Sequence, residues 1–260
     1  MKTSKDYAIE LFQIKNIIPC QCQGNHEICL HCNKCCIENG IQLIKDLNNL
    51  NIYLDHTLLK ADTKTSDIQN HCLEANKYNF KTVCINPIFI SIARQILKKT
   101  DVCTVIGFPL GANMHDVKFH EASSAIDTGA KELDMVINIG YLKEKDYQTV
   151  YDEINHVAKI CKFNKVILKI IIETCLLTKE EIIKASLIIK KAGADFVKTS
   201  TGFSLKGAEP EQVKLIRSIV GPYFGVKASG GIRTREDALN MIKAGANRIG
   251  TSNSVLLINI

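Results

Sequence analysis

Eight apolar runs of strand length, each followed by a segment of helical period, limit most sharply what this chain can fold into. They fall at residues 52–59, 82–85, 102–108, 132–138, 166–174, 196–201, 225–229 and 248–251. Strands that alternate with helices build parallel sheets, and eight such units predict a (β/α)8 TIM barrel rather than an open sheet. Helix boundaries agree: Thr178 and Glu181 have capping-box spacing, and Thr234 opens a helix that stops before Gly245. At 260 residues the chain has room for one such barrel.

A near-repeat inside this pattern sets the register. Gly129-Ala130, Gly193-Ala194 and Gly245-Ala246 each end a helix and lead into a strand, and Asn79 can end a helix in the same left-handed conformation. Five residues on from these four positions stand Asp134, Lys198, Gly250 and Cys84, on the fourth, sixth, eighth and second strands. Alternate barrel strands supply one layer of inward side chains, so these four are expected to share a layer. An acid and an amine would then face one another in the interior. An ionisable group there costs several kcal/mol unless paired or solvated, so such groups gather in sites.

Three lysines interrupt otherwise apolar strands: Lys169, Lys198 and Lys227. Any one could snorkel to solvent from an edge, but three in one sheet point to chemistry. An amine that forms an imine must be neutral, which for a lysine of ordinary pKa ~10.4 requires a drop to roughly 7. Desolvation and a neighbouring cation can supply it. Lys198 and Lys227, on adjacent strands, are expected to act as nucleophile and perturber, with Asp134 and Lys169 handling protons. A purely structural Asp134–Lys169 ion pair is the competing reading. For an anionic handle the chain offers Gly230-Gly231 after the seventh strand and Gly250-Thr251-Ser252 after the eighth, the usual phosphate position in these barrels, with Thr201-Gly202 closing the cradle.

The formal charge of +6 permits an anionic substrate, but Lys and Arg are scattered, which argues against nucleic-acid binding. No leader pattern opens the sequence and no apolar run reaches ~18 residues, so a cytoplasmic protein with no membrane association is expected. The eleven cysteines fit a secreted disulfide framework poorly. Six of them crowd the first 40 residues, dividing the chain into a Cys-rich extension, 1–40, and a barrel, 41–260. Within the extension Cys29, Cys32, Cys35 and Cys36 resemble half of a structural zinc site, although no second well-spaced pair follows; a flexible reduced tail, redox coupling and partner binding are the alternatives.

The barrel sequence resembles the deoxyribose-phosphate aldolase family along nearly its whole length. The stretches that carry the likeness include Leu54-Asp-His-Thr-Leu-Leu-Lys60, Val102-Cys-Thr-Val-Ile-Gly-Phe-Pro-Leu-Gly111, Glu132-Leu-Asp-Met-Val-Ile-Asn138, Phe196-Val-Lys-Thr-Ser-Thr-Gly202 and Val226-Lys-Ala-Ser-Gly-Gly-Ile-Arg-Thr234. The resemblance implies reversible cleavage of 2-deoxy-D-ribose 5-phosphate to D-glyceraldehyde 3-phosphate and acetaldehyde, without cofactor or catalytic metal. It casts Lys198 as the Schiff-base lysine, Lys227 as its perturbing neighbour, Asp134 as proton relay and Lys169 as a fourth charged partner. Cys84 and the glycine loops would contact substrate, and a homo-oligomer would be in keeping. Two departures stand out. Asn253 replaces a second Ser in the phosphate loop, and the last residues, Ile258-Asn259-Ile260, lack the terminal Tyr of many members, which would slow proton exchange. Two other readings remain open from the residues alone: a phosphosugar isomerase or epimerase barrel, which needs no inward lysine pair, and a non-catalytic binding protein with a metal-dependent appendage.

Overall fold

The computed structural model of the chain describes residue 47 and residues 49–258. Eight parallel strands close in sequence order: β1 (Leu54–Leu58), β2 (Thr82–Ile85), β3 (Asp101–Ile106), β4 (Glu132–Val136), β5 (Ile167–Ile171), β6 (Phe196–Lys198), β7 (Gly225–Ser229) and β8 (Arg248–Thr251), with β8 pairing back onto β1. Helices α1 (Thr65–Tyr78), α2 (Ile90–Ile96), α3 (His115–Thr128), α4 (Ile139–Lys143), α5 (Tyr147–Phe163), α6 (Lys179–Ala192), α7 (Pro210–Val220), α8 (Arg235–Lys243) and α9 (Ser254–Ile258) follow the strands. The closed barrel is the fold that the eightfold alternation predicts.

The helix-ending repeat takes the form its residues suggest, with positive φ at Asn79 (52°), Gly129 (110°), Gly193 (89°) and Gly245 (113°). Thr178 and Glu181 close their capping box: the Glu181 amide donates to Thr178 Oγ1 at 3.2 Å and the Thr178 amide to Glu181 Oε2 at 2.8 Å. Because side chains alternate along a strand, β4 sends Leu133 and Met135 outward into the apolar layer that also holds Ile154 and Val157 of α5, while Glu132 and Asp134 point inward. Most of the apolar core therefore lies outside the barrel, which leaves the interior for polar groups.

Strand ends differ from the sequence expectation where local bonding takes the backbone elsewhere. Leu50–Tyr53 winds into a 3-10 turn, so β1 starts at Leu54. β5 stops at Ile171, and Glu173 adopts a left-handed φ of 51°. β6 has three residues: the Thr199 amide still bonds Lys227 O at 3.0 Å, but the Thr201 amide turns to the Glu173 carboxylate at 3.2 Å. The Cys-rich extension, 1–40, with Cys29, Cys32, Cys35 and Cys36, lies outside the described residues. Among the described residues no helix is long and apolar enough to cross a membrane.

Candidate active site

Strand register builds a charged interior. Asp134 is level with Lys169 on the neighbouring strand, Lys198 with Lys227, and Lys227 with Arg248. The inward side chains converge on Asp134. Lys198 Nζ donates to its Oδ2 at 2.6 Å, Lys227 Nζ to the same oxygen at 2.7 Å, and Lys169 Nζ to Oδ1 at 2.8 Å. The expected layer of Cys84, Asp134, Lys198 and Gly250 is drawn together here. Cys84 Sγ lies 4.0 Å from Asp134 Oδ2, and a Cβ on Gly250 would come within 2.9 Å of Lys227 Cε. Gly250 is the place where the lysine stem needs the absence of a side chain.

Beneath this point runs a second tier that sequence reasoning missed. Asp55 on β1 makes a short ion pair with Lys227 and meets Arg248 Nη1 at 2.7 Å. Glu132 on β4 meets Lys169 Nζ at 2.5 Å and Arg248 Nη1 at 2.8 Å. Cys103 Sγ sits 3.3 Å from Lys169 Nζ and 3.3 Å from Asp134 Oδ1. Burial by itself would raise the carboxyl of Asp134, but the ammonium groups of Lys169, Lys198 and Lys227 outweigh it and hold Asp134 well below the ordinary carboxylate range. Burial works in the other direction on Lys227, and Asp134 and Asp55 overcome it, so this lysine is pushed up and stays a cation. Lys169 is raised in the same way, with Asp134 the leading anion.

Above the network opens a cavity of about 340 Å³, at the C-terminal ends of the strands. Of the four charged residues singled out as catalytic, Lys198 lines it, at the floor and 2 % exposed; Asp134, Lys169 and Lys227 lie beneath at 0 %. Thr201, Gly202, Gly230, Gly231, Gly250 and Ser252 also line the wall. Cys84, expected to touch substrate, is not among the residues that line the cavity. Its side chain is fully buried, packed with Leu59, Cys103 and Val105 and turned toward Asp134, so it belongs to the layer under the cavity floor. Two cations on the wall, Lys60 and Arg233, went unremarked in the sequence.

The mouth loops are held backbone to backbone. A Cβ on Gly207 would lie 2.1 Å from Gly230 O, and Gly230 and Gly231 take φ of 82° and 76°. Gly207 allows the close approach, and Gly230 and Gly231 supply the left-handed backbone that other residues rarely adopt. In the β8 loop, which lines the cavity at Asn253, the Asn253 amide donates to Thr251 Oγ1 at 3.0 Å, its carbonyl accepts from Leu256 at 2.9 Å and its Oδ1 accepts from Ser252 Oγ at 3.4 Å. Among the described residues Cys84, Cys103 and Asp134 present possible ligand atoms within 4.8 Å of one another. A metal ion there would compete with three ammonium groups already fixed on the same carboxylate.

A parallel barrel with one lysine at the base of its C-terminal cavity, set over a buried carboxylate and further lysines, has the layout of a lysine-centred barrel enzyme. Residues 50–258 match the model of the DeoC/LacD family aldolases, and the chain belongs to that family. Its activity class is accordingly that of a carbon–carbon lyase. The deoxyribose-phosphate aldolase of Clostridium novyi (strain NT) is 54 % identical over 212 residues, covering 81 % of this chain and 95 % of the relative. That of Thermoanaerobacter sp. (strain X514) is 54 % identical over 81 % of this chain and 96 % of its own. Among solved structures, the aldolase QR15 is 41 % identical with a TM-score of 0.78, over 83 % of this chain and 95 % of its own. The deoxyribose phosphate aldolase of Aeropyrum pernix, described as a unique tetramer, is 33 % identical with a TM-score of 0.76, over 85 % and 94 %.

Proposed function

We propose that this protein reversibly cleaves 2-deoxy-D-ribose 5-phosphate to D-glyceraldehyde 3-phosphate and acetaldehyde through an imine on Lys198. The observation that carries the reading is that Lys198 is the one lysine of the buried network that reaches the cavity, while its ammonium shares Asp134 Oδ2 with Lys227. Two cations on one oxygen repel, and the partners differ. Lys227 also holds Asp55, whereas among the described residues Lys198 meets the single carboxylate Asp134. The described charges inside the barrel are Lys169, Lys198, Lys227 and Arg248 against Asp55, Glu132 and Asp134. They sum to one net positive charge, and the amine that must be neutral to attack a carbonyl is the one that reaches the cavity.

The neutral amine attacks the C1 aldehyde of the open-chain sugar, and water leaves from the carbinolamine. The resulting iminium accepts the electrons of the C2–C3 bond as the C3 hydroxyl loses its proton, which releases glyceraldehyde 3-phosphate and leaves an enamine. Protonation at C2 and hydrolysis then free acetaldehyde and the lysine. Asp134 supports the proton steps, since its Oδ2 already receives the Lys198 hydrogen bond. Lys60, Arg233 and the glycine loops support the phosphate end: two cations and backbone amides at the loops after β7 and β8 are suited to an anion. No step calls for a metal. A cytoplasmic setting and a homo-oligomer belong to the same reading, the latter supported by the tetrameric description of the Aeropyrum pernix structure.

The test is product formation. Incubation with 2-deoxyribose 5-phosphate should release acetaldehyde and glyceraldehyde 3-phosphate in equal amounts, and Lys198→Ala should release neither while keeping its circular dichroism spectrum. An isomerase or epimerase would instead return a phosphosugar of unchanged mass, which would overturn the lyase reading.

A further inference from the structure

Glu173 stands at the mouth just past β5, and nothing in the chemistry above uses it. It is 3 % exposed and holds a φ of 51°, a conformation that non-glycine residues keep only when their surroundings enforce it. What enforces it is visible. Glu173 Oε2 accepts from the Thr201 amide at 3.2 Å and makes a short hydrogen bond with the Thr201 hydroxyl, and Oε1 accepts from Cys175 Sγ at 3.8 Å. Thr201 Oγ1 in turn accepts from the Phe203 amide at 3.1 Å. One carboxylate thereby fixes residues 201–203, and all three line the cavity. Gly202 is the part of this loop that meets the β7 loop: a Cβ on Gly230 would lie 3.4 Å from Gly202 Cα.

A buried carboxylate is an odd neighbour for a cavity suited to an anion, because it repels what the cavity is to bind. Its geometry resolves the oddity, since both Thr201 donors are directed onto it. The Thr201 hydroxyl is therefore committed to Glu173 and Phe203 and serves the wall by shaping it. We infer that Glu173 is a positioning residue for the phosphate end of the substrate: it presets the loop after β6 against the glycines of the loop after β7. This inference rests on the lyase reading above.

The experiment compares Glu173→Ala and Glu173→Gln with wild type on 2-deoxyribose 5-phosphate and on unphosphorylated 2-deoxyribose. It adds calorimetric binding of inorganic phosphate and the rate of borohydride trapping with acetaldehyde, which has no phosphate. Losing buried hydrogen bonds to a charged group should raise KM for the phosphorylated sugar and Kd for phosphate about tenfold to a hundredfold in Glu173→Ala. Glu173→Gln, which keeps an acceptor oxygen, should fall between. Acetaldehyde trapping and kcat/KM for the unphosphorylated sugar should stay within about threefold of wild type. Should Glu173→Ala fail to fold, Thr201→Val, which removes the hydroxyl joining Glu173 to Phe203, should show the same rise in KM. Unchanged KM and phosphate affinity would overturn the inference, as would equal losses on both sugars, which would mean a general structural role. If wild type binds phosphate but traps no acetaldehyde, the lyase reading fails, and phosphate affinity alone still decides the role of Glu173.

Discussion

Replacing Lys227 by Leu tests the electrostatic core of the account. The Lys198 and Lys227 amines bond the same Asp134 oxygen at 2.6 Å and 2.7 Å, so they lie no more than about 5 Å apart. At the effective dielectric of about 20 suited to buried pairs, two unit charges at that separation repel by about 3 kcal/mol. Lys227→Leu abolishes that repulsion and also leaves Asp134 with one cation fewer, so both changes tie the Lys198 amine more tightly to Asp134 and hold it back from attack. Three kcal/mol corresponds to a rate loss of about a hundredfold. The same change removes the cation shared by Asp55 and Asp134, and unpairing buried carboxylates costs about 3–5 kcal/mol of stability. The assay is the single-turnover rate of borohydride-trapped adduct formed with acetaldehyde near neutral pH, on protein shown by near-ultraviolet circular dichroism to be folded. A folded variant that traps within about threefold of wild type would refute the reasoning.

Other consequences follow from the same contacts. Gly250→Ala places a Cβ 2.9 Å from Lys227 Cε and 3.0 Å from Ser229 Cβ; displacing the lysine should cut kcat at least tenfold, about 1.4 kcal/mol, with a smaller change in denaturation midpoint, and wild-type kcat would contradict this. Arg248→Met unpairs Asp55 and Glu132 and should cost about 3–5 kcal/mol in urea denaturation, against which a loss below about 1 kcal/mol would count. His56 and His71 stack at 3.5 Å between β1 and α1, and burial pushes them down to about 2 and about 4. Folded values below the unfolded ~6.5 mean that their contribution is present above pH ~6.5 and fades as the pH falls toward those values, so each histidine should remove about 1–2 kcal/mol between pH 7 and 5. Asp195, raised by burial to about 6, acts in the opposite sense over part of that window. The clean readout is therefore wild type minus His71→Gln, and parallel pH profiles for the two would refute the assignment.

The barrel and the upper half of its charged interior were legible in the sequence because they break a pattern. Lys169, Lys198, Lys227 and Asp134 are ionisable residues inside apolar runs, and the helix-ending positions Asn79, Gly129, Gly193 and Gly245 fixed which of them face the same level. Asp55, Glu132 and Arg248 went unread because each sits at a strand start beside polar residues, His56, Lys131 and Asn247, where a charge resembles ordinary surface. Cys103 was hidden because a thiol in an apolar strand looks like core. Lys60 and Arg233 lie in loops, where cations are common, and only closure of the barrel brings them to one cavity. Cys84 lies at the level that periodicity gives it, but periodicity does not show which atoms surround a side chain, and here Leu59, Cys103 and Val105 bury it away from the cavity wall. Glu173 carries no local signal, since its role depends on a loop 28 residues away.

Borohydride reduction in the presence of acetaldehyde, followed by peptide mapping by mass spectrometry, locates the reactive amine. An imine on Lys198 yields one ethyl group on the peptide that contains Lys198, and no adduct in Lys198→Ala. An adduct on Lys169 or Lys227 instead, or none on the wild-type protein, would contradict it.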